Sequence, residues 1–260
     1  MRLFACMCNQ PQRLVEALTP VRSALVVPGP VSRWGLGYVQ GGEALLVRTP
    51  RSSLEPVDLL APLQEIRTDT AMGQAVVDAR VSGTDNTPPF RFRRWLFVGH
   101  EGASLEPIWP RLLQHVPDYM RRNLKGRMSA ELRFHLLLAM LHDTGGLDDP
   151  NLQIGTIRRA VAAALALVSR EATEAGLAGA VGNLIVGNGR TMVAARVDQP
   201  MYLRRLWVRG ERTERDDSFR GVLLVSGPGS APGEGFEELP LGQAALISRD
   251  LRVDLAPLAP

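Results

Sequence analysis

The chain has 260 residues, of which 45% are apolar, with 30 basic and 27 acidic side chains and a formal net charge of +3. This is enough apolar material for a core without disulfides, and its two cysteines are too few for a disulfide framework. The basic patch around Arg121 and Lys125 has no aromatic side chains beside it, so we read it as a solvated helix end and predict no nucleic-acid binding. No apolar run of about 18 residues and no signal-sequence pattern occurs, which predicts a cytoplasmic protein without a membrane segment.

The first part of the chain has the pattern of a β-rich region. A brief helix is predicted over residues 11–25, limited by Pro20; the segment before it is a short apolar run with β character. The predicted strands cover residues 2–8, a hairpin over 34–49 with its turn at Gly41-Gly42, residues 74–83, and Arg94–Val98.

The middle of the chain has helical periodicity. Residues 107–124 are predicted to be helical with an interruption at Pro117. Residues 129–143 form a second predicted helix, with Ser129 as its N-cap and a stop at Gly145-Gly146. Residues 151–176 are alanine-rich, with apolar side chains at three- and four-residue spacing, and predict a long helix.

Strands return after the helices. A hairpin is predicted over residues 181–197 with its turn at Asn188-Gly189. Further strands are predicted at residues 201–210, 220–227 and 243–255, with a flexible loop over 227–242. We see no linker and no internal repeat, so the sequence predicts one α+β domain over residues 1–260. Its simplest packing places two antiparallel sheets face to face, with helices covering their outer faces.

Seven segments occur in the order and spacing of a known family. They are RLFACMC (2–8), RWGLGYV (33–39), VDARVSGTDNTPPF (77–90), WLFVGHEG (95–102), MSAEL (128–132), NLIVGNGRTMVAAR (183–196) and the segment LVSGPG to EGFEELPLG (224–242). In these segments the chain resembles the class II glutamine amidotransferases, which are N-terminal-nucleophile hydrolases, and above all their stand-alone bacterial forms. The resemblance implies a four-layer αββα sandwich.

The resemblance also implies a reaction for active members of the family. An N-terminal cysteine thiolate attacks the side-chain amide of glutamine, with the cysteine's own α-amine as the base. An asparagine side chain and a glycine N–H hold the oxyanion. An arginine pairs with the substrate carboxylate, and an aspartate binds the substrate ammonium.

This chain departs from that pattern where the chemistry resides. Met1 stands at the position of the nucleophilic cysteine, Glu101 at that of the oxyanion asparagine, and Ser129 at that of the ammonium-binding aspartate. A carboxylate at position 101 would repel a developing oxyanion. By contrast, Arg80 matches the carboxylate-binding arginine and Gly102 matches the oxyanion glycine.

Some other positions around the same cleft differ from the family pattern, and others match it. Asp78 replaces a family histidine, Gly99 stands as an extra residue before the oxyanion loop, and Glu131 is retained. His100 lies in that loop and is the histidine to which we assign a polar role. The residues of this remnant cleft are Asp78, Arg80, His100, Glu101, Gly102 and Ser129.

We therefore predict a catalytically inactive protein of this family, a pseudoenzyme that needs no cofactor and binds no metal. It would bind a protein partner (an active homologue, a synthetase or a second copy of itself) or hold a small amino-acid-like ligand near Arg80. The alternative is an active glutamine amidotransferase or amidohydrolase that uses Cys6 after N-terminal processing. Against it, processing at Cys6 would remove most of the first strand, where Cys6 and Cys8 are predicted to share one face as packing residues.

Overall fold

Two antiparallel sheets form the centre of the molecule. The structure is a computed structural model that describes residues 2–77, 81–208, 218–228 and 232–258. In order across the seven-stranded sheet lie β13 (Glu237–Glu238), β11 (Met201–Val208), β12 (Phe219–Ser226), β1 (Arg2–Cys8), β6 (Thr70–Val76), β3 (Arg33–Gln40) and β4 (Glu43–Thr49). The six-stranded sheet contains β15 (Val253–Pro257), β14 (Gln243–Ile247), β10 (Met192–Ala195), β9 (Leu184–Gly187), β8 (Trp95–Gly99) and β7 (Phe90–Phe92). A separate pair joins β2 (Val26–Val27) to β5 (Val57–Asp58).

Two long helices cover the six-stranded sheet. These are α4 (Ser129–Asp143) and α5 (Ile154–Glu174), which confirm the two helices predicted over 129–143 and 151–176. The shorter helices are α1 (Leu14–Leu18), α2 (Trp109–Leu113) and α3 (Asp118–Arg121), with 3-10 turns at Pro11–Arg13, Thr19–Ala24, Ala61–Glu65, Thr84–Asn86 and Glu106–Ile108. Within the described ranges, no helix has both the length and the apolarity needed to cross a membrane.

The buried apolar side chains separate into three clusters, one for each interface of a four-layer sandwich. One lies between the six-stranded sheet and the helices α4 and α5, where the rings of Phe97 and Phe134 stack at 5.0 Å. A second fills the space between the two sheets and includes Met72 and Ile185. The third joins the seven-stranded sheet to α1 and the 3-10 turns. This confirms the predicted αββα arrangement, although one outer layer consists of short helical turns.

Strand β1 shows how the sequence alternation sets these layers. Leu3, Ala5 and Met7 point into the space between the sheets. Cys6 and Cys8 point to the opposite side, into the outer cluster, as successive side chains of a strand must. The strand predicted over residues 2–8 is confirmed, and the two cysteines share a face as expected.

Several predicted boundaries are wrong. The strand predicted over 74–83 runs from Thr70 to Val76, and its predicted continuation through 78–80 lies outside the described residues. The strand predicted over Arg94–Val98 is confirmed with a shift of one residue as β8, and it forms a hairpin with β7, which the sequence did not predict; Arg93 lies in the turn at φ 52°. The strand predicted over 243–255 is likewise a hairpin, β14 and β15, because the polar residues Ser248–Arg252 form its turn.

The predicted helix over residues 11–25 is also divided. Only Leu14–Leu18 is α-helical, and 3-10 turns lie on both sides of it. Pro20 accounts for the break after α1, because it is the second residue of the 3-10 turn Thr19–Ala24, where its missing N–H costs nothing. Pro11 begins the other 3-10 turn in the same way. The interruption predicted at Pro117 is confirmed, since α2 ends before it and α3 begins after it.

Candidate functional site

The remnant cleft lies at the Arg2 end of strand β1. Gln74 on β6 and Ser226 on β12 both pair with Leu3, so they mark this level of the seven-stranded sheet. The Gln74 amide then joins the other sheet: its Nε2 donates to the Gly99 carbonyl at 2.8 Å, and its Oε1 accepts the Gly99 N–H at 3.1 Å. Gly99, the residue that is additional to the family pattern, is thus held by the buried Gln74. The sequence patterns did not identify Gln74 as a functional residue.

Glu101 caps helix α4. Its Oε2 accepts the Ser129 N–H at 3.0 Å, and its Oε1 accepts the Ala130 N–H at 2.9 Å. These are unsatisfied donors of the first helical turn, and a carboxylate there also favours the positive end of the helix dipole. Both carboxylate oxygens at the position of the family's oxyanion asparagine are therefore bonded to the protein's own backbone.

Ser129 does not serve as the N-cap, so that prediction is wrong. The helix begins at Ser129 itself, and the preceding N-cap residue, Met128, makes no side-chain cap hydrogen bond. The Ser129 hydroxyl instead accepts the Leu105 N–H at 3.1 Å and donates to the Ala103 carbonyl at 3.4 Å. Glu101, from a different element, supplies the cap, and short-range sequence signals cannot reveal such a partner.

Glu131 holds the segment that leads into α4. Its two carboxylate oxygens accept the N–H groups of Lys125, at 3.1 Å, and Gly126, at 2.8 Å. Burial raises the pKa of Glu131 to about 7, and these backbone hydrogen bonds oppose that rise. The acid retained from the family pattern therefore positions the chain before the helix.

Gly102 occupies a conformation and a space that exclude a side chain. Its φ is +47°, and a Cβ at this position would lie 2.5 Å from the Gly179 carbonyl oxygen. The neighbouring Ala103 N–H donates to the same oxygen at 2.7 Å. The loop after β8 therefore packs closely against the backbone of Gly179. Only glycine at position 102 allows this close approach.

His100 is buried beside this loop and is held through its backbone. Its N–H donates to the Asn183 carbonyl at 2.8 Å, and the Arg133 guanidinium donates to its carbonyl. Burial lowers the pKa of His100 to about 4; Asp198 acts against this shift, and Arg133 acts with it. The imidazole is therefore neutral at pH 7. Its Nε2 has no hydrogen-bond partner among the described residues.

Arg133 lies beneath the cleft in helix α4 and is fully buried. It also donates to the Ala180 carbonyl at 2.9 Å. Burial lowers the pKa of its guanidinium, and the carboxylates of Glu101 and Asp198 offset that effect. Glu101 thus has a second structural role as a counter-charge for a buried arginine.

Asn183, just before β9, connects the two sheets. Its Oδ1 accepts the N–H groups of Val197, at 2.6 Å, and Asp198, at 3.0 Å. Its Nδ2 donates to the Gln199 carbonyl at 2.6 Å and to the Ser226 hydroxyl at 2.9 Å. Each of its four side-chain bonding positions is used, so this asparagine is structural. It falls within one of the seven family segments, but that match gave no indication of its role.

A cavity of about 700 Å³ opens in front of Glu101 and Ser129. The guanidinium of Arg33 lies at its edge and is 1% exposed, because it donates to the carbonyls of Asn86, at 2.7 Å, and Val81, at 2.6 Å. The remaining lining residues are Val81, Ser104, Glu106, Trp109, Pro110 and Arg127. Two predicted cleft residues thus line one cavity, while His100 is not among the described residues that line it.

Cys6 and Cys8 lie away from this end of the strand. At a rise of about 3.3 Å per residue, Cys6 is roughly 13 Å from Arg2 along β1. Both side chains are buried in the outer cluster. Burial raises the pKa of the Cys6 thiol and raises that of Cys8 to about 12. Neither thiol has the exposed, electropositive surroundings of a nucleophile.

Three predicted site residues, Met1, Asp78 and Arg80, lie outside the described residues. Among the residues that are described, no group of three or more histidine, cysteine, aspartate or glutamate side chains is placed to hold a metal ion. The geometry of the cleft therefore rests on Gln74, Glu101, Gly102, Ser129 and Asn183.

Comparison with known proteins adds evidence from structure. No protein-family model matches the chain, and no curated protein matches its sequence. A glutamine aminotransferase class-II domain protein from Silicibacter pomeroyi is similar in structure, with a TM-score of 0.65 at 19% identity over 100% of both chains. A predicted glutamine amidotransferase from Pseudomonas aeruginosa has a TM-score of 0.56 at 14% identity, over 97% of this chain and 99% of that one.

A third similar structure is a larger enzyme. The glutamine phosphoribosylpyrophosphate amidotransferase of B. subtilis has a TM-score of 0.56 at 11% identity, and the whole of this chain matches 49% of that one. The chain thus spans about half the length of that enzyme. At these identities the likeness concerns the fold, which extends over nearly the full length of this chain in all three comparisons. The chain has the fold of the class II glutamine amidotransferases, a fold of the N-terminal-nucleophile hydrolases.

Proposed function

We propose that this chain is a catalytically inactive relative of the class II glutamine amidotransferases that acts as a binding subunit. The observation that carries the proposal is the pair of hydrogen bonds from the backbone of α4 to Glu101. Hydrolysis of an amide needs donors aimed at the oxyanion of the tetrahedral intermediate. An ionised carboxylate only accepts hydrogen bonds, and this one is fixed in place by a helix terminus.

The alternative, activity from Cys6 after processing, has little support in the packing around that residue. Cys6 pairs with Ala71 on one side and Leu223 on the other, in the middle of the seven-stranded sheet. A chain that began at Cys6 would lose the residues opposite Gln74 and Ser226, which define the cleft. Its thiol would also have to leave a hydrophobic cluster that raises its pKa.

The proposed binding role is directed at the cavity in front of Glu101 and Ser129. Arg127 is the exposed cation of its lining, whereas the Arg33 guanidinium is already bonded to backbone carbonyls. An amino-acid-like ligand would place its carboxylate near Arg127 and its ammonium near Glu106. A protein partner, such as an active homologue or a synthetase, would cover the same opening. Either occupant uses the cleft without needing a nucleophile.

Intact-mass measurement combined with a glutaminase assay tests the proposal. We expect the purified chain to retain the residues before Cys6 and to release no glutamate from glutamine. The proposal would be overturned by a mass equal to that of a chain starting at Cys6, together with glutamate release that is lost in Cys6→Ser and kept in Cys8→Ser. Cys8→Ser is the matched control because Cys8 shares the same strand face and cluster.

A further inference from the structure

A second cavity lies at the opposite end of the sandwich from the remnant cleft. It has a volume of about 700 Å³ and is bordered by the Cys8 end of β1, the turn at Gly41-Gly42 and the turn at Asn188-Gly189. It shares none of its described lining residues with the cavity in front of Glu101. We call it the distal cavity.

Four arginines line the distal cavity: Arg67, Arg94, Arg190 and Arg249. Asp69 is the one acidic side chain among the described lining residues. Arg190 donates to the Asn151 side chain at 2.8 Å. Arg67, Arg94 and Arg249 have no hydrogen bond or ion pair in the part of the chain that the structure describes. The described lining therefore has an excess of cationic side chains, and three of these form no ion pair with any described residue.

Asn188 adds a donor that the fold leaves unused. Its Oδ1 accepts the N–H groups of Arg190 and Thr191, each at 3.0 Å, and the Thr191 hydroxyl at 3.2 Å. These three donors fix the orientation of the amide, so its Nδ2 points away from the turn. The residue is 7% exposed, and its Nδ2 has no partner among the described residues. A buried amide without a partner costs about 1–3 kcal/mol, which a ligand acceptor would recover.

Thr70 provides a second such group on the facing sheet. Its side chain is 1% exposed, and its hydroxyl has no partner among the described residues. Thr70 belongs to the seven-stranded sheet, whereas Asn188 follows β9 of the six-stranded sheet. Unsatisfied polar groups therefore border the cavity from both sheets, beside the arginines.

We propose that the distal cavity binds a small molecule carrying phosphoryl groups, of the diphosphate class. Guanidinium groups match the geometry of phosphate oxygens and bind them through paired, charge-assisted hydrogen bonds. Several arginines around one cavity favour an anion with more than one charge. The buried Asn188 amide and Thr70 hydroxyl would become neutral donors for the remaining oxygens once a bound ligand displaces the side chains that cover them. The turn at Gly41-Gly42, with positive φ at both residues, keeps one rim free of side chains.

Calorimetric titration of the full chain with inorganic pyrophosphate tests this site. We expect saturable 1:1 binding that weakens at least about tenfold in the double variant Arg94→Gln/Arg249→Gln, because each loses a charged donor. The matched control, Arg51→Gln/Arg122→Gln, removes two exposed arginines that also lack partners in the described part and lie outside the distal cavity. It should bind like the wild type. No saturable binding by the wild type, or an equal loss in the control, would overturn the proposal.

A second variant separates the site from general charge. Asn188→Asp keeps the oxygen that holds the turn but replaces the free amide with an anionic oxygen, so the fold should persist while pyrophosphate affinity falls at least about tenfold. Unchanged affinity would remove Asn188 from the site and contradict the proposed geometry. A single-stranded oligonucleotide provides the comparison for the source of the phosphate. Tighter binding of the oligonucleotide than of pyrophosphate, with a steep salt dependence, would overturn the small-molecule assignment.

Discussion

Two buried asparagines, one at each end of strand β9, differ in how many of their side-chain hydrogen bonds the protein itself satisfies. Asn183, before the strand, uses both its oxygen and its amide within the protein. Asn188, after the strand, uses its oxygen for a turn and leaves its amide without a partner in the described chain. The asparagine at the remnant-cleft end is thus fully bonded within the protein, although the His100 Nε2 there has no partner among the described residues, whereas the asparagine at the distal end has an unbonded amide.

Replacing the two asparagines should give the largest difference between the ends. Asn183→Ala leaves the N–H groups of Val197 and Asp198 and the Gln199 carbonyl without partners, and we expect a loss of about 4 kcal/mol in the free energy of unfolding. Asn188→Ala removes only the acceptor of a turn, and we expect a loss of about 1 kcal/mol. Urea denaturation measures both. Equal losses would show that the two ends do not differ in this way.

The next largest effect concerns Glu101. Glu101→Ala removes two helix-capping bonds and the carboxylate near Arg133, so we expect a loss of about 2 kcal/mol in the free energy of unfolding. Glu101→Gln keeps one acceptor oxygen and should lose about 1 kcal/mol. Glu106→Ala, on the same cavity, is the control and should be neutral because its side chain is exposed. An unchanged stability of Glu101→Ala would mean that residue 101 is free for another role.

The sequence predicts the layers better than it predicts the cleft. The apolar run over residues 2–8 and the helical spacing over 129–143 and 151–176 identify β1, α4 and α5, because apolar runs and periodicity are local patterns. Glu101 and Ser129 are the residues from which the family resemblance predicts a changed site. Their new partners do not follow from sequence, since Glu101 reaches a helix that begins 28 residues later. The bonds of Gln74 and Asn183 likewise join distant segments.

The titration of His100 gives a smaller, pH-dependent effect at the cleft end. Its pKa in the folded chain is about 4, below its ordinary value of 6.5, so the unfolded chain binds the proton first as the pH falls. The stability contributed by neutral His100 is complete above pH 6.5 and is lost progressively down to pH 4. Between pH 7 and pH 5 we expect the free energy of unfolding to fall by about 2 kcal/mol from this group.

His100→Gln should remove that part of the pH dependence. Urea denaturation at pH 7 and pH 5 measures the difference for each protein. His142→Gln is the control because His142 is exposed on the last turn of α4. The same slope in wild type and His100→Gln would show that burial does not hold His100 neutral in the folded chain.

Thr70 gives the smallest effect and the sharpest test of the distal end. Its hydroxyl is buried without a partner, so Thr70→Val, which has nearly the same shape, should stabilise the free protein by up to about 1 kcal/mol. Thr68→Val is the matched contrast: the Thr68 hydroxyl donates to the Val39 carbonyl at 2.6 Å and accepts the Thr70 N–H at 3.1 Å, and its loss should cost about 1 kcal/mol. Thermal unfolding without pyrophosphate measures the stability change of each variant, and the same measurement with pyrophosphate shows whether the variant still gains stability from the ligand. A Thr70→Val protein that is less stable than wild type in the absence of pyrophosphate would show that the hydroxyl already has a partner, and the distal cavity would then have one donor fewer to offer a ligand.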